Sequence, residues 1–169
     1  LSVLSWTLLA LGYPEQAQER SRQALALAHQ RADPFSLSIT RYQAARFHYY
    51  RREPQAVREH IEASLALARE QGFPLFEAMG TILHGWSLTE PSQAEARLAQ
   101  MHQGLAALKR TGSGLLVTHL ARLAEAYGQG GQPGEGLTLV DEALAIGQRT
   151  GEQHHAAELQ RLKGEILLQ

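Results

Sequence analysis

Cysteine is absent from this chain of 169 residues, which excludes disulfide frameworks, thiolate nucleophiles and Cys-ligated zinc or iron–sulfur centres. Charge of one sign is missing too. Sixteen Lys and Arg stand against seventeen Asp and Glu, for a net charge of −1, so no overall positive field draws in nucleic acid or acidic lipid. No apolar run approaches the roughly 18 residues of a membrane span, and the opening stretch lacks the basic flank and cleavage site of a secretory signal. These absences predict a cytoplasmic chain with no direct contact to nucleic acid or membrane. With 44% hydrophobic and 20% charged residues mixed throughout, it is expected to fold, as one domain or a few stacked repeats. It begins inside the apolar stretch Leu1, Val3, Leu4 and stops inside Ile166, Leu167, Leu168, and so reads as a fragment of a longer protein.

What the chain does have is a period. Ala24-Leu25-Ala26, Ser64-Leu65-Ala66, Gly104-Leu105-Ala106 and Ala143-Leu144-Ala145 share the pattern small-Leu-Ala at steps of 40, 40 and 39, the mark of a repeat architecture. Gln71-Gly72, Thr111-Gly112 and Thr150-Gly151 follow in phase, where a helix needs a left-handed residue to stop, and Arg31-Ala32 fills that slot in the first unit. Pro14, Pro34, Pro54 and Pro74 recur every twenty residues and suit first helical turns. Two helices per unit follow. The apolar spacing is helical and nothing alternates with period two for long enough to make a strand. The expected helices span 1–11, 14–31, 34–51, 54–71, 74–89, 92–111, 114–129, 133–150 and 152–169, with short connections that force antiparallel neighbours. The fold class is therefore all-α, a single array over 1–169 of about four and a half hairpins of ~40 residues.

Nineteen residues before each tripeptide stands another small residue, Ser5, Ala45, Gly85 and Ala124, with Gly164 in phase for a fifth, incomplete unit. Small side chains on both helices of a hairpin let the backbones approach closely, and a bulky one would overpack the contact by about 1–3 kcal/mol.

On these positions the sequence resembles the tetratricopeptide repeat (TPR) family. The fourth unit carries the likeness best, with Leu120, Leu123, Ala124 and Tyr127 on its first helix, Gly131 at the turn, and Gly136, Val140 and Ala143 on its second. It departs from the family in its spacing and in Val57 and Arg97, which stand where a small residue is usual. The longer helices resemble the variant found C-terminally in bacterial signalling proteins that carry an ATPase module, and often a class III adenylate cyclase or helix-turn-helix output domain. Leu159-Gln160-Arg161-Leu162-Lys163-Gly164-Glu165 is similar to a segment of those tails. The resemblance implies an α-α superhelix, right-handed and lined by its first helices, that acts as a protein-binding scaffold in signal transduction.

No catalytic, cofactor or metal site is expected. His154 and His155 are adjacent, unlike the i, i+4 pair that ligates zinc. His29, His60 and His102 read as solvated residues of second helices, and His48, His84 and His119 lack an Asp or Glu at a fixed offset. Thr111-Gly112-Ser113-Gly114 and the cluster Gly128, Gly130, Gly131, Gly134 read as helix stops, since neither has the spacing of a phosphate-binding loop. Arg46, Arg51 and Arg52 with Tyr42, Tyr49 and Tyr50 could grip an acidic peptide, although Glu53, Glu59 and Glu62 favour a salt-bridged surface.

The repeat register turns Tyr42, Arg46, Tyr49, Met79, Ile82, Trp86, Ala121 and Glu125 toward the inner groove, whose aromatic and Arg-bearing half is the expected binding surface. The leading expectation is a non-enzymatic interaction and regulatory module for a protein, a peptide or other domains of its parent chain. A domain that senses a small molecule for an attached ATPase, cyclase or transcription-regulator domain is the alternative. A homodimer through exposed terminal helices is expected from the apolar ends.

Overall fold

A computed structural model describes residues 1–151 and 155–168. Among the described residues the chain forms nine α-helices and no strand: α1 (Ser2–Ala10), α2 (Pro14–Arg31), α3 (Pro34–Tyr50), α4 (Pro54–Gln71), α5 (Pro74–Trp86), α6 (Ala94–Arg110), α7 (Leu116–Gln129), α8 (Pro133–Thr150) and α9 (Ala156–Leu167). Proline opens α2, α3, α4, α5 and α8, where the N–H it lacks would have no intrahelical partner. Asp33 caps α3 by accepting from the Ser36 N–H at 2.8 Å. At the far end of α4, Gly72 adopts φ 68°, and the Phe73 N–H reaches back to the Ala68 carbonyl at 2.8 Å. Ala32 takes the equivalent left-handed place after α2, with φ 50°.

Three expected boundaries move by two residues or more, and the ends expected for the last helix, 152 and 169, lie outside the described residues. The helix expected over 74–89 stops at Trp86, because Ser87 Oγ donates to the His84 carbonyl and Glu90, restricted by Pro91, is extended at ψ 135°. A 3-10 turn at Pro91–Gln93 then leads into α6. The helix expected from 114 begins at Leu116, after a turn in which the Thr111 and Ser113 hydroxyls accept from the N–H groups of Ser113 and Leu115.

Consecutive helices pack as hairpins, α1 on α2, α3 on α4, α5 on α6 and α7 on α8, with α9 against α8. The odd-numbered helices also touch one another in order, α1 to α3, α3 to α5, α5 to α7 and α7 to α9, and the even-numbered helices form no such row. Such a row on one side only bends the stack into a superhelix with the odd-numbered helices on its inner face.

The small positions sit at the hairpin contacts. A Cβ on Gly104 would lie 2.8 Å from the Ala78 carbonyl oxygen and 2.9 Å from the Ile82 nitrogen; one on Gly85 would lie 3.0 Å from the Arg97 carbonyl oxygen. Ala45, Ser64, Ala124 and Ala143 are fully enclosed, and Ser64 Oγ donates to the Ser38 carbonyl at 2.9 Å. A Cβ on Gly164, in α9, would meet nothing within 4 Å. The larger core side chains run as one cluster from Tyr42 to Ile166, with Ile61, Ile82, Leu83, Met101, Leu108, Leu120 and Leu123 at its centre. Hairpin α1–α2 buries only Ser5, Ala17, Ser21, Ala24 and Ala28.

Candidate functional site

Trp6, Arg46, Trp86 and Glu125 occupy one register position in four successive units, at steps of 40, 40 and 39. The fold lines them up along the inner face. Arg46 lies over the Trp6 ring at 5.1 Å and over Tyr50 at 5.8 Å, and Trp86 meets Tyr49 edge to face with 4.7 Å between ring centres. Tyr49 reaches past α5 to α7, where its hydroxyl donates to Glu125 Oε2 at 3.0 Å. Burial, and then the Glu125 carboxylate, push the Tyr49 phenol far above its ordinary value, so it stays a donor.

Glu125 is almost completely buried and collects two further donors, Arg52 through Nη1 and Gln129 through Nε2. Arg52 follows α3 with φ 59°, a left-handed conformation that Gly12 and Gly131 take in the equivalent turns of the first and fourth units. A side chain there strains the backbone. In exchange, the guanidinium crosses the inner face to Glu125.

Beside this network Arg122, on α7, is fully buried. Its guanidinium lies 4.6 Å from the centre of the Tyr49 ring, and its Nη1 donates to His119 Nδ1 at 3.1 Å. Arginine stays charged in proteins and can only donate, so His119 accepts through Nδ1 and carries its own proton on Nε2. Burial, and then the adjacent Arg122 charge, hold His119 well below the usual imidazole range, consistent with that neutral tautomer. The guanidinium also shares a side-chain hydrogen bond with the buried Tyr42, and no carboxylate pairs with it among the described residues.

Trp6, Tyr49, Tyr50, Arg52, Ala121, Arg122, Glu125 and Leu162 are among the residues that wall a cavity of about 350 Å³ between α1, α3, α7 and α9, and Arg46, Trp86 and His119 stand behind that wall. Glu158 and Arg161 stand at its α9 side and pair with each other at 2.5 Å, and Thr118 meets His155 at 2.7 Å. A second cavity, of about 880 Å³, opens at the edge of the stack between Phe35, Phe73, Phe76 and the end of α6. It is roomier, but Arg69 holds its Glu77 in a half-exposed pair, and Arg110 is exposed. The smaller one is walled by the buried Arg122 and Glu125.

Of the residues assigned from sequence to the groove, Arg46, Tyr49, Trp86 and Glu125 come together, Tyr42 is buried 6.5 Å from Phe76, and Ala121 lines the cavity. Met79 and Ile82 do not reach it, and Tyr42, Arg46 and Trp86 also stand outside its lining. Met79 and Ile82 are both buried in the core, Ile82 at the close approach to Gly104 of its own hairpin partner. Arg51 pairs with Glu53 at 2.9 Å, whereas Arg52 leaves the expected salt-bridged surface for Glu125.

Among the histidines, His48 does have an oriented carboxylate, Glu53 at 2.6 Å, and His84 has Glu62 at 3.5 Å. His60 is not a fully solvated residue, since it stacks on His48 at 5.3 Å. His154 lies outside the described residues, and no group of three His, Asp or Glu able to hold a metal occurs among those described. Sequence reasoning passed over Trp6 and Arg122. Trp6 shares the register of Trp86, and Arg122 stands 39 residues after the buried Leu83, so a charge at a position that is apolar one unit earlier was the available signal.

No protein-family model matches this chain, and neither the curated proteins nor the solved structures contain a match to it.

Proposed function

We propose that this chain is a non-catalytic, regulatory TPR-like module whose working surface is the inner face of its odd-numbered helices, and that this face takes a small molecule. The carrying observation is the pocket in that face. Side chains from α1, α3, α7 and α9 narrow it to a partly open pocket of about 350 Å³, at the lower end of small-molecule pockets. Aromatic rings and arginines line it, the types that most often anchor binding. This reverses the order of the two readings drawn from the sequence and puts ligand sensing ahead of protein recognition. A ligand there would touch the first, second, fourth and fifth units at once, which gives it leverage over the curvature of the array. The TPR likeness makes a bacterial, cytoplasmic signalling protein with an ATPase or cyclase the natural parent, with the sensed molecule biasing its output.

Melting temperatures of the chain against pools of small metabolites test this reading, since a ligand that binds only the folded state raises them by mass action. Ala121→Trp, which fills the cavity from its half-exposed wall, should fold and abolish the response. An unchanged response in that variant, or none from any pool, would remove the inner face as a small-molecule site.

A further inference from the structure

We infer that the second cavity, at the edge of the stack, binds a small amphipathic acid, with its aromatic or acyl body on the Phe35, Phe73 and Phe76 cluster and its single carboxylate on Arg110. This site is separate from the inner face and does not depend on that reading. Its volume of about 880 Å³ falls within the range of small-molecule pockets. Three successive inter-hairpin turns contribute to it. Phe35 follows the first, Phe73 and Phe76 flank the start of α5 after the second, and Arg110, Thr111 and Ser113 belong to the third. The first two turns occupy only 32–33 and 72–73, whereas the third spans 111–115. In that longer turn Ser113 stands 40 residues after Phe73, so the aromatic wall is not continued there and the lining becomes polar.

The apolar side of the cavity calls for a body. The Phe35 ring packs edge to face on Phe73 at 5.5 Å and on Phe76 at 5.4 Å, yet half of its surface remains in water. A ring oriented by two others and still half exposed leaves apolar area that a ligand can cover, with the rings already in place to receive it. The partly buried Leu75 and Ala107 extend the same lining. The charges then select the head group. Glu77 and Arg110 are the two charged residues of the lining. Arg69 holds Glu77 at 3.2 Å, and Lys109, the neighbour of Arg110, is committed to Glu142 at 3.3 Å. Arg110 itself is exposed and its side chain has no ion pair or hydrogen bond among the described residues. Its planar fork matches the two oxygens of a carboxylate. Glu77, in the same lining, opposes a second negative charge and so a phosphate dianion.

The test titrates 4-phenylbutyrate, and 4-phenylbutyramide as its neutral isostere, into the whole chain by calorimetry. The acid should bind more tightly than the amide, and added salt should narrow the difference. Arg110→Gln, on an exposed side chain, should weaken the acid about three- to fivefold, the scale of a solvent-screened ion pair, and leave the amide unchanged. Phe35→Ala should weaken both probes about tenfold by removing half-exposed apolar area. If that variant fails to fold by circular dichroism, Ala107→Trp, which fills the cavity from its partly buried wall, replaces it and should abolish both. Ala121→Trp, which fills the inner-face cavity instead, should change neither. Equal affinity for acid and amide, or acid binding untouched by Arg110→Gln, overturns the carboxylate assignment. No binding of either probe, or binding lost in Ala121→Trp and kept in Ala107→Trp, overturns the site, and neither result alters the test of the inner face with metabolite pools. Displacement of the acid by equimolar inorganic phosphate would show a general anion site and overturn the match to an amphipathic monoanion. An acidic, Phe-containing peptide that displaces the acid and binds more tightly would assign the cavity to a protein partner and overturn the small-molecule form.

Discussion

The Tyr49 hydroxyl of the second hairpin donates to Glu125 of the fourth at 3.0 Å, although the two residues are 76 apart in sequence and a whole hairpin lies between their units. Tyr49→Phe and Glu125→Gln, singly and together, measure what this bond contributes. The double-mutant cycle should return a coupling of about 1–2 kcal/mol, since the acceptor is charged and nearly buried. Urea midpoints at unchanged slope are the readout, and strict additivity would mean that water replaces the contact without loss.

Gly104 and Gly164 make an internal contrast. Gly104→Ala places a methyl group 2.8 Å from the Ala78 carbonyl oxygen, a backbone atom that cannot rotate away, and should destabilise by about 1–3 kcal/mol. Gly164→Ala meets nothing and should stabilise α9 by up to about 1 kcal/mol through helix propensity alone. Thermal melts of the two variants should move in opposite directions. Shifts of the same sign would contradict the hairpin contact.

Ala32 holds φ 50° after α2, the place that Gly72 and Gly151 fill after α4 and α8. Ala32→Gly relieves an L residue of the left-handed conformation, at a cost of about 1–2 kcal/mol to any residue with a Cβ, and part of that gain is lost to the freer unfolded chain. A small rise in melting temperature is expected, and a fall would show that the alanine methyl packs usefully there.

Acid should weaken the fold as the pH drops below 6.5. His119, lowered by burial and then by Arg122, stays neutral when folded but takes a proton below its ordinary 6.5 when unfolded. The unfolded chain therefore binds more protons as pH drops below 6.5, and stability falls by up to about 1.4 kcal/mol per pH unit for such a group. His60, lowered by burial and then by His48, adds in the same direction. Glu158, lowered chiefly by its hydrogen bond from Arg161, acts only in a more acid window: its contribution is present above the ordinary 4.5 and is lost as pH falls through the lower folded value. Melting temperature should decline between about pH 7 and pH 5.5, with a shallower slope in His119→Asn. A flat profile over that range would contradict a buried neutral imidazole.

The hairpins were legible because their determinants are local and periodic. Pro34, Pro54 and Pro74 open helices, Gly72 and Gly151 close them, and Gly85 and Gly104 each face the opposite helix of the α5–α6 hairpin, each readable from its neighbours within 40 residues. The site was legible only in part. Register placed Arg46, Tyr49, Trp86 and Glu125 on one face, but the same register also admitted Met79 and Ile82, which are buried in the core, Ile82 at its close approach to Gly104. The bridges from Arg52 and Tyr49 to Glu125 depend on how tightly the stack curves. Curvature accumulates over several units, and no local motif in the sequence encodes it.

Hairpin α1–α2 brings only serines and alanines to the interior, whereas the large aliphatic and aromatic side chains gather from α3 onward. Little apolar area holds it down, so its amide protons should exchange through local opening at a free energy well below that of global unfolding. Yet this hairpin contributes Trp6 to the cavity wall. The ring that helps enclose the site is therefore carried by the segment readiest to detach, and the cavity's exposure to solvent follows the opening equilibrium of α1–α2 rather than a side-chain rotation. Any molecule resting on Trp6 would draw on the same equilibrium, and would show itself first as slowed exchange in those two helices.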